Sequence, residues 1–324
     1  MKSLVSLDPA TYERHAIHGP DRCWAETNCY MDVLIELIHS LGFEPVAALP
    51  ITLSVDFEVD QWTFFKFAHS DLLEMYGMEI QELNPWLSLA EHVERQVEAG
   101  RPILVELDSF YLPDTQGSAY NIAHVKSTVA VNEIDVANRH MGYFHGQGYY
   151  HLGGEEFGNI FQLDGLVHDR MLPPYIELMK LHKRPEDIVT RTLLEQSIQA
   201  LRRELAMLPS TNPFNTFQSR FETDLEWLKS EPIDTFHLYS FATLRQYGAC
   251  FELVETYLKW LTDQGESGLD RAIECFNQIS ATAKTFQFKL ARAIARKKDL
   301  DLAPLAQMSE LWENGTSDVA GKYL

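Results

Sequence analysis

The sequence predicts an α+β domain over residues 1–170 followed by an all-α helical bundle over 171–324. Three observations carry this. One amphipathic helix opens the first half, and short apolar runs separated by turns then follow it, the signature of a mostly antiparallel sheet. Beyond about residue 170 helical periodicity takes over, in long stretches punctuated by Pro209, Pro213, Pro232 and Gly265. The total of 324 residues suits two ordinary domains.

The opening helix is expected over 29–41. Tyr30, Val33, Leu34, Leu37, Ile38 and Leu41 share one face, Thr27 or Asn28 can cap it, and Gly42 ends it. A second helix is expected over 84–100, started by Asn84 and Pro85. Residues 103–107, Ile-Leu-Val-Glu-Leu, read as a strand, and 111–115 as a turn. The next strand is expected over 124–132, with Val125, Ser127, Val129 and Val131 on one face and His124, Lys126, Thr128 and Ala130 on the other. One or two further strands are expected in 141–152, broken by Gly146 and Gly148. Helices are then expected over 185–207, 214–229, 236–264, 268–298 and 302–312.

The chain carries 27 basic and 47 acidic residues, a net charge of −20. Such a balance argues against binding a nucleic-acid backbone or an anionic membrane. The start of the chain has no apolar segment of signal-peptide length, and no apolar run reaches the 18 or so residues of a membrane span. Cys23, Cys29, Cys250 and Cys275 have neither disulfide-framework nor zinc-site spacing. A cytoplasmic protein with free thiols is expected, and a homo-oligomer is compatible with the sequence.

Cys29 is the residue most plainly placed for chemistry. A thiol acts as a nucleophile in its thiolate form, and a helix N-terminus stabilises that anion through its unpaired N–H groups and dipole. A histidine completes the activation, and His124, opening a strand, is the expected base. If strands 103–107 and 124–132 are antiparallel neighbours, Asp108 at the end of the first meets His124 at the start of the second. Asp108 therefore ranks first as third member, with His145 or Gln147 as alternatives. The Cys29 N–H with a side chain from Asn28, Gln61 or a protonated Glu26 would make an oxyanion site. Asp60, Gln61 or Lys66, in the aromatic-rich stretch 56–66, would hold a polar substrate group. The bland reading of that stretch is a strand with its aromatics in the core. Cys23 is the rival nucleophile, and Cys250 and Cys275 read as core.

Two weaker readings complete the survey. His140, His145 and His151 with Glu155 and Glu156 could gather a metal, but their spacing matches no standard ligand pattern, so neither metal nor cofactor is expected. Lys180 to Arg184, Arg202-Arg203 and Arg292 to Lys298 are basic islands that could receive an acidic carrier protein or its phosphopantetheine phosphate, although solvated helix faces explain them as well.

Certain of these residues also carry a resemblance. Cys29 opening a helix, then Val105-Glu-Leu-Asp108-Ser-Phe-Tyr-Leu-Pro113, then His124 leading a strand, resembles the N-terminal domain of the butirosin biosynthesis acyltransferase called protein H. The segments Cys23-Trp-Ala-Glu-Thr-Asn-Cys29-Tyr, 56–66, 111–115 and 142–150 look like an uncharacterised bacterial family of about this length. The first resemblance implies a papain-like fold and cysteine-dependent acyl transfer from a carrier-protein thioester to an amine; a small-molecule acyl donor is equally compatible with the sequence. It departs from that pattern after the histidine strand, where Tyr143-Phe-His-Gly-Gln147 has no acid. A cysteine amidase or peptidase-like hydrolase, and a catalytically silent partner for a carrier protein, are the alternatives.

Overall fold

A computed structural model describes residues 2–165 and 175–324. Its strands in chain order are β1 (Lys2–Ser3), β2 (Phe57–Glu58), β3 (Gln61–Trp62), β4 (Met78–Glu82), β5 (Ile103–Asp108), β6 (Lys126–Asp135), β7 (His140–His145), β8 (Gly148–Gly153) and β9 (Ile176–Leu181). Its helices are α1 (Cys29–Ser40), α2 (His69–Tyr76), α3 (Leu89–Glu98), α4 (Gly154–Ile160), α5 (Thr190–Ala206), α6 (Pro213–Leu228), α7 (Ile233–Ser240), α8 (Gln246–Asp263), α9 (Asp270–Arg296) and α10 (Ala303–Tyr323).

The chain divides into two compact units, each assembled from separated segments. The first takes Met1–Gly19, Asn28–Pro45 and His69–Ile188; the second takes Pro20–Thr27, Val46–Ala68 and Val189–Leu324. The expected boundary near residue 170 lies outside the described residues. The helical half begins later than the sequence suggests, because β9 returns to the sheet between β4 and β5.

The first unit is α+β. Its seven-stranded sheet runs β4-β9-β5-β6-β7-β8, with β1 pairing to β6, and every pairing is antiparallel. One face of the sheet carries Val105, Leu107, Val129, Val131, Tyr143 and Leu152 against Val93 and Val97 of α3 and Phe157 of α4. Side chains alternate along a strand, so the odd residues of the first part of β6 enter this core. Each such buried aliphatic or aromatic side chain contributes about 1.5–3 kcal/mol. The opposite face meets α1, whose Cys29 approaches Thr128. Ser88 and Glu91 form a capping box that starts α3 four residues into the expected 84–100 helix.

β6 holds an irregularity at Asn132. Val131 pairs with Tyr143, yet Glu133 pairs with Gly142, so one residue too many is fitted at Asn132. Such a bulge turns two successive side chains to one side. Asn132 donates to the Tyr149 hydroxyl on the α1 side, Glu133 meets the histidines of that same side, and Ile134 is back in the α3 core.

The second unit is helical apart from the β2–β3 hairpin. Trp62 lies 4.9 Å from Tyr247 and 5.2 Å from Phe214 between ring centroids, and Phe217, Phe221, Phe251, Phe276 and Phe286 extend the aromatic core. The expected 236–264 helix is interrupted by a π-helical turn over Phe241–Arg245, and the last helix continues past 312 because Thr316, Val319 and Tyr323 prolong its buried stripe. Among the described residues no helix is long and apolar enough to cross a membrane.

Candidate functional site

Asn28 starts α1: its Oδ1 accepts from the Met31 N–H at 3.0 Å, which makes Cys29 the first helical residue. The Cys29 sulfur lies 3.7 Å from Thr128 Oγ1, and that is its side-chain contact. The next residue, Tyr30, anchors this end of α1 to the sheet. Its hydroxyl donates to Glu177 Oε2 and meets His69 Nε2, each at 2.9 Å. Burial, then the charge of Glu177, push this phenol far above its ordinary range, so it stays a neutral donor.

At the same sheet end, β5 and β6 bring Asp108 and His124 together. Asp108 pairs with Lys126, and the Ser109 N–H to Val125 carbonyl bond at 2.8 Å continues the ladder toward His124. Asp108 Oδ2 lies 2.6 Å from His124 Nδ1, while its Oδ1 accepts from the Phe110 N–H at 3.0 Å. The Phe110 ring stacks on the imidazole with centroids 4.4 Å apart and planes 10° from parallel. Both side chains are about one-sixth exposed. With Nδ1–H committed to the carboxylate, Nε2 is the nitrogen placed to exchange a proton.

His145 and Gln147 are drawn elsewhere. His145 Nδ1 lies 2.5 Å from Asp114 Oδ2, and its Nε2 lies 2.5 Å from Ser127 Oγ. Tyr143 donates its hydroxyl to Asp114 Oδ1 at 2.5 Å. This is a hydroxyl–imidazole–carboxylate relay, on the opposite side of β6 from Thr128. A cavity of about 490 Å³ reaches Asp114 and Tyr143, with Tyr150 and His151 also in its wall. Gln147 accepts a hydrogen bond from Arg14 in the exposed β7–β8 turn.

The remaining expected residues belong to the second unit. Glu26 is ion-paired with Arg245 at 3.2 Å. Asp60 and Gln61 are exposed at the β2–β3 hairpin, whose Trp62 enters the aromatic core, and Lys66 is exposed. The rival thiols are poorly activated. Burial, then the Glu252 charge, raise the pKa of Cys23; complete burial raises that of Cys250 strongly, and burial raises that of Cys275.

Sequence reasoning missed Ser127 and Asp114, and also Glu133, which meets His140 Nε2 at 3.1 Å and His151 Nε2 at 3.2 Å. The five-residue group of His140, His145 and His151 with Glu155 and Glu156, which matched no standard ligand pattern in the sequence, is not assembled: His145 faces the other side, and Tyr120 donates to Glu156 at 2.5 Å. The partnership of Ser127 with His145 could have been found from strand parity. Glu133 could not, because the bulge reverses its side.

The fold and site together define a two-unit protein: an antiparallel α+β unit bearing a helix-start thiol and an oriented histidine, and a helical unit. The chain belongs to the DUF1839 family, the DUF1839 N-terminal domain matching residues 13–181 and the DUF1839 C-terminal domain residues 190–321. A comparison with curated proteins finds no match. The family matches do not extend to the butirosin acyltransferase, whose likeness is confined to the motifs quoted above.

Proposed function

We propose that the protein is a cysteine-dependent acyltransferase of papain-like design, moving an acyl or aminoacyl group from a thioester to an amine through a Cys29 acyl-enzyme. The observation that carries this reading is the 2.6 Å Asp108–His124 hydrogen bond, which orients an imidazole at the sheet end where α1 presents Cys29. His124 Nε2 takes the thiol proton, and the thiolate attacks the carbonyl carbon of the donor. The carbon–sulfur bond to the donor thiol breaks, and that thiol leaves with the proton from His124. An amine then attacks the Cys29 thioester, gives its surplus proton to His124, and the Cys29 thiol is restored.

His124 stands four residues before Thr128, about 13 Å along extended chain. The reading therefore requires the imidazole to close on the sulfur when the donor binds, since proton transfer needs about 3 Å or one bridging water. A −20 charge disfavours docking of an equally acidic carrier protein, so a small-molecule thioester is the better donor.

A second reading is favoured by the Ser127–His145–Asp114 relay. Here Ser127 attacks an ester or amide, water releases the product, and Cys29 is silent. Ser127 is only 7% exposed, and the nearby cavity reaches Asp114 but not Ser127, so this reading requires an opening at Ser127 when substrate binds.

One labelling experiment separates the two. Iodoacetamide near neutral pH should alkylate Cys29 ahead of Cys23 and faster than a free peptide thiol, and His124→Ala should slow the reaction. Cys29 alkylation no faster than that of a free peptide thiol, and unchanged by His124→Ala, would refute the thiol mechanism. Fluorophosphonate labelling of Ser127 with an inert Cys29 would transfer the conclusion to the second reading.

A further inference from the structure

We infer that Glu133, His140 and His151 form a binding site for a first-row divalent cation such as Zn²⁺, on the sheet face that meets α1 and at the end of β6 away from His124. The inference does not rest on the proposed acyl transfer.

Three neighbouring strands each supply one ligand. Glu133 pairs with Gly142, Gly142 with His151, and His140 with Asp135 in the same register. Glu133 Oε1 lies 3.1 Å from His140 Nε2 and 3.2 Å from His151 Nε2, and the three ligand atoms all lie within 4.8 Å of one another. A cation holding ligands at about 2.0–2.2 Å separates neighbouring ones by roughly 2.9–3.5 Å, so both glutamate–histidine separations already match those around a bound ion. Two neutral imidazoles and one carboxylate suit a borderline divalent cation and leave coordination positions open.

Two features are arranged around this cluster. The bulge at Asn132 places Glu133 on the histidine side; a regular strand would send that carboxylate into the α3 core. Gly142 sits between Glu133 and His151 and keeps the space clear. A Cβ there would come within 2.8 Å of Glu133 Oε1 and 2.2 Å of the Tyr149 hydroxyl. The Asn132 amide donates to that hydroxyl at 3.0 Å and holds the ring beside His151. Access is open on the other side: the glutamate side chain is 10% exposed, but those of His140 and His151 are 29% and 41% exposed. His151 also borders the 490 Å³ cavity.

The test uses the full-length chain without a histidine tag, stripped with a chelator and titrated with Zn²⁺ by calorimetry, with metal content measured after dialysis. The expected result is one retained equivalent. His151→Gln and His140→Gln, both at partly exposed positions, should each weaken binding at least about a hundredfold, more than loss of an outer-shell partner does. Cys29→Ser should leave binding unchanged. Substituting Co²⁺ should give visible absorption bands that vanish in His151→Gln. No retained equivalent, or one that survives both histidine substitutions while circular dichroism shows native fold, would overturn the inference and leave two histidines merely sharing a carboxylate.

Discussion

Raising the pH should loosen the N-terminal segment from α1, and His18 determines where. The His18 side chain is 1% exposed, with Nδ1 on Glu36 Oε1 and Nε2 3.1 Å from Asp32 Oδ1, two carboxylates on successive turns of α1. Glu36 also accepts from the Tyr12 hydroxyl and, at 3.1 Å, from the His15 N–H, so the whole 12–18 stretch is tied to this pair. Burial alone would lower the imidazole pKa, but the hydrogen bonds to Asp32 and Glu36 and their charges outweigh it and raise it from 6.5 to about 9. The folded value lies above the unfolded one, so the stabilisation is full below 6.5 and is lost as pH rises through 9. That difference corresponds to roughly 3 kcal/mol at about 1.4 kcal/mol per unit. Native-state hydrogen exchange of the α1 amides, corrected for intrinsic rates, should show this loss between about pH 6 and pH 9.5. His18→Gln should remove the pH dependence and cost about 3–5 kcal/mol at the lower pH, because it leaves buried carboxylates uncompensated. An equal stability difference between wild type and His18→Gln at both pH values would refute the reasoning.

Asp108→Asn should leave the fold intact at a cost of about 1.5–3 kcal/mol for a lost charge-assisted hydrogen bond. It should also change which His124 nitrogen carries the proton, seen in ¹⁵N spectra of the imidazole, and slow Cys29 alkylation; an unchanged spectrum would remove Asp108 as the orienting partner. Gly248→Ala should destabilise the helical unit by about 1–3 kcal/mol, because a Cβ would meet the Trp24 ring at 2.4 Å. Trp24 cannot easily yield, since its backbone N–H and that of Cys23 donate to Glu252 at 2.9 and 2.7 Å and its indole N–H donates to the Ser280 carbonyl at 3.4 Å. Thermal denaturation with an unshifted midpoint would contradict this.

The parts of the fold that were legible from sequence are those governed by local periodicity. The 29–41 helix, β5 and most of β6 follow from spacing, and so does the Asp108–His124 contact, since an antiparallel pair puts the end of one strand beside the start of the next. Positions set by long-range pairing were not legible, and the parity of the β6–β7 hairpin, which is legible, was not carried through to His145. His145 was expected near His124 because the β6–β7 hairpin brings their neighbourhoods together. Register places it against odd-numbered β6 residues, so it meets Ser127 on the other face. The same blindness hid β9, whose place between β4 and β5 is set by long-range pairing; in 56–66 the bland reading holds for Trp62, which is a core anchor, while Asp60 and Gln61 are exposed.

Trp62 also has a bearing on how the molecule is made. Its ring is packed by Phe214, Phe217, Tyr247 and Phe251, 152 to 189 residues further on, and Trp24 lies against Gly248, 224 residues further on, all of them in the second half of the chain. A ribosome that has released the first half has therefore delivered two tryptophans before most of the apolar surface that receives them. They stay exposed for the seconds that the remaining residues take to emerge, at about 5–20 residues per second. Cutting the gene at the apparent junction between halves would make that interval permanent. A fragment ending near residue 188 should bind hydrophobic dyes or chaperones, and co-expressing the missing half, rather than changing the buffer, is what should rescue it.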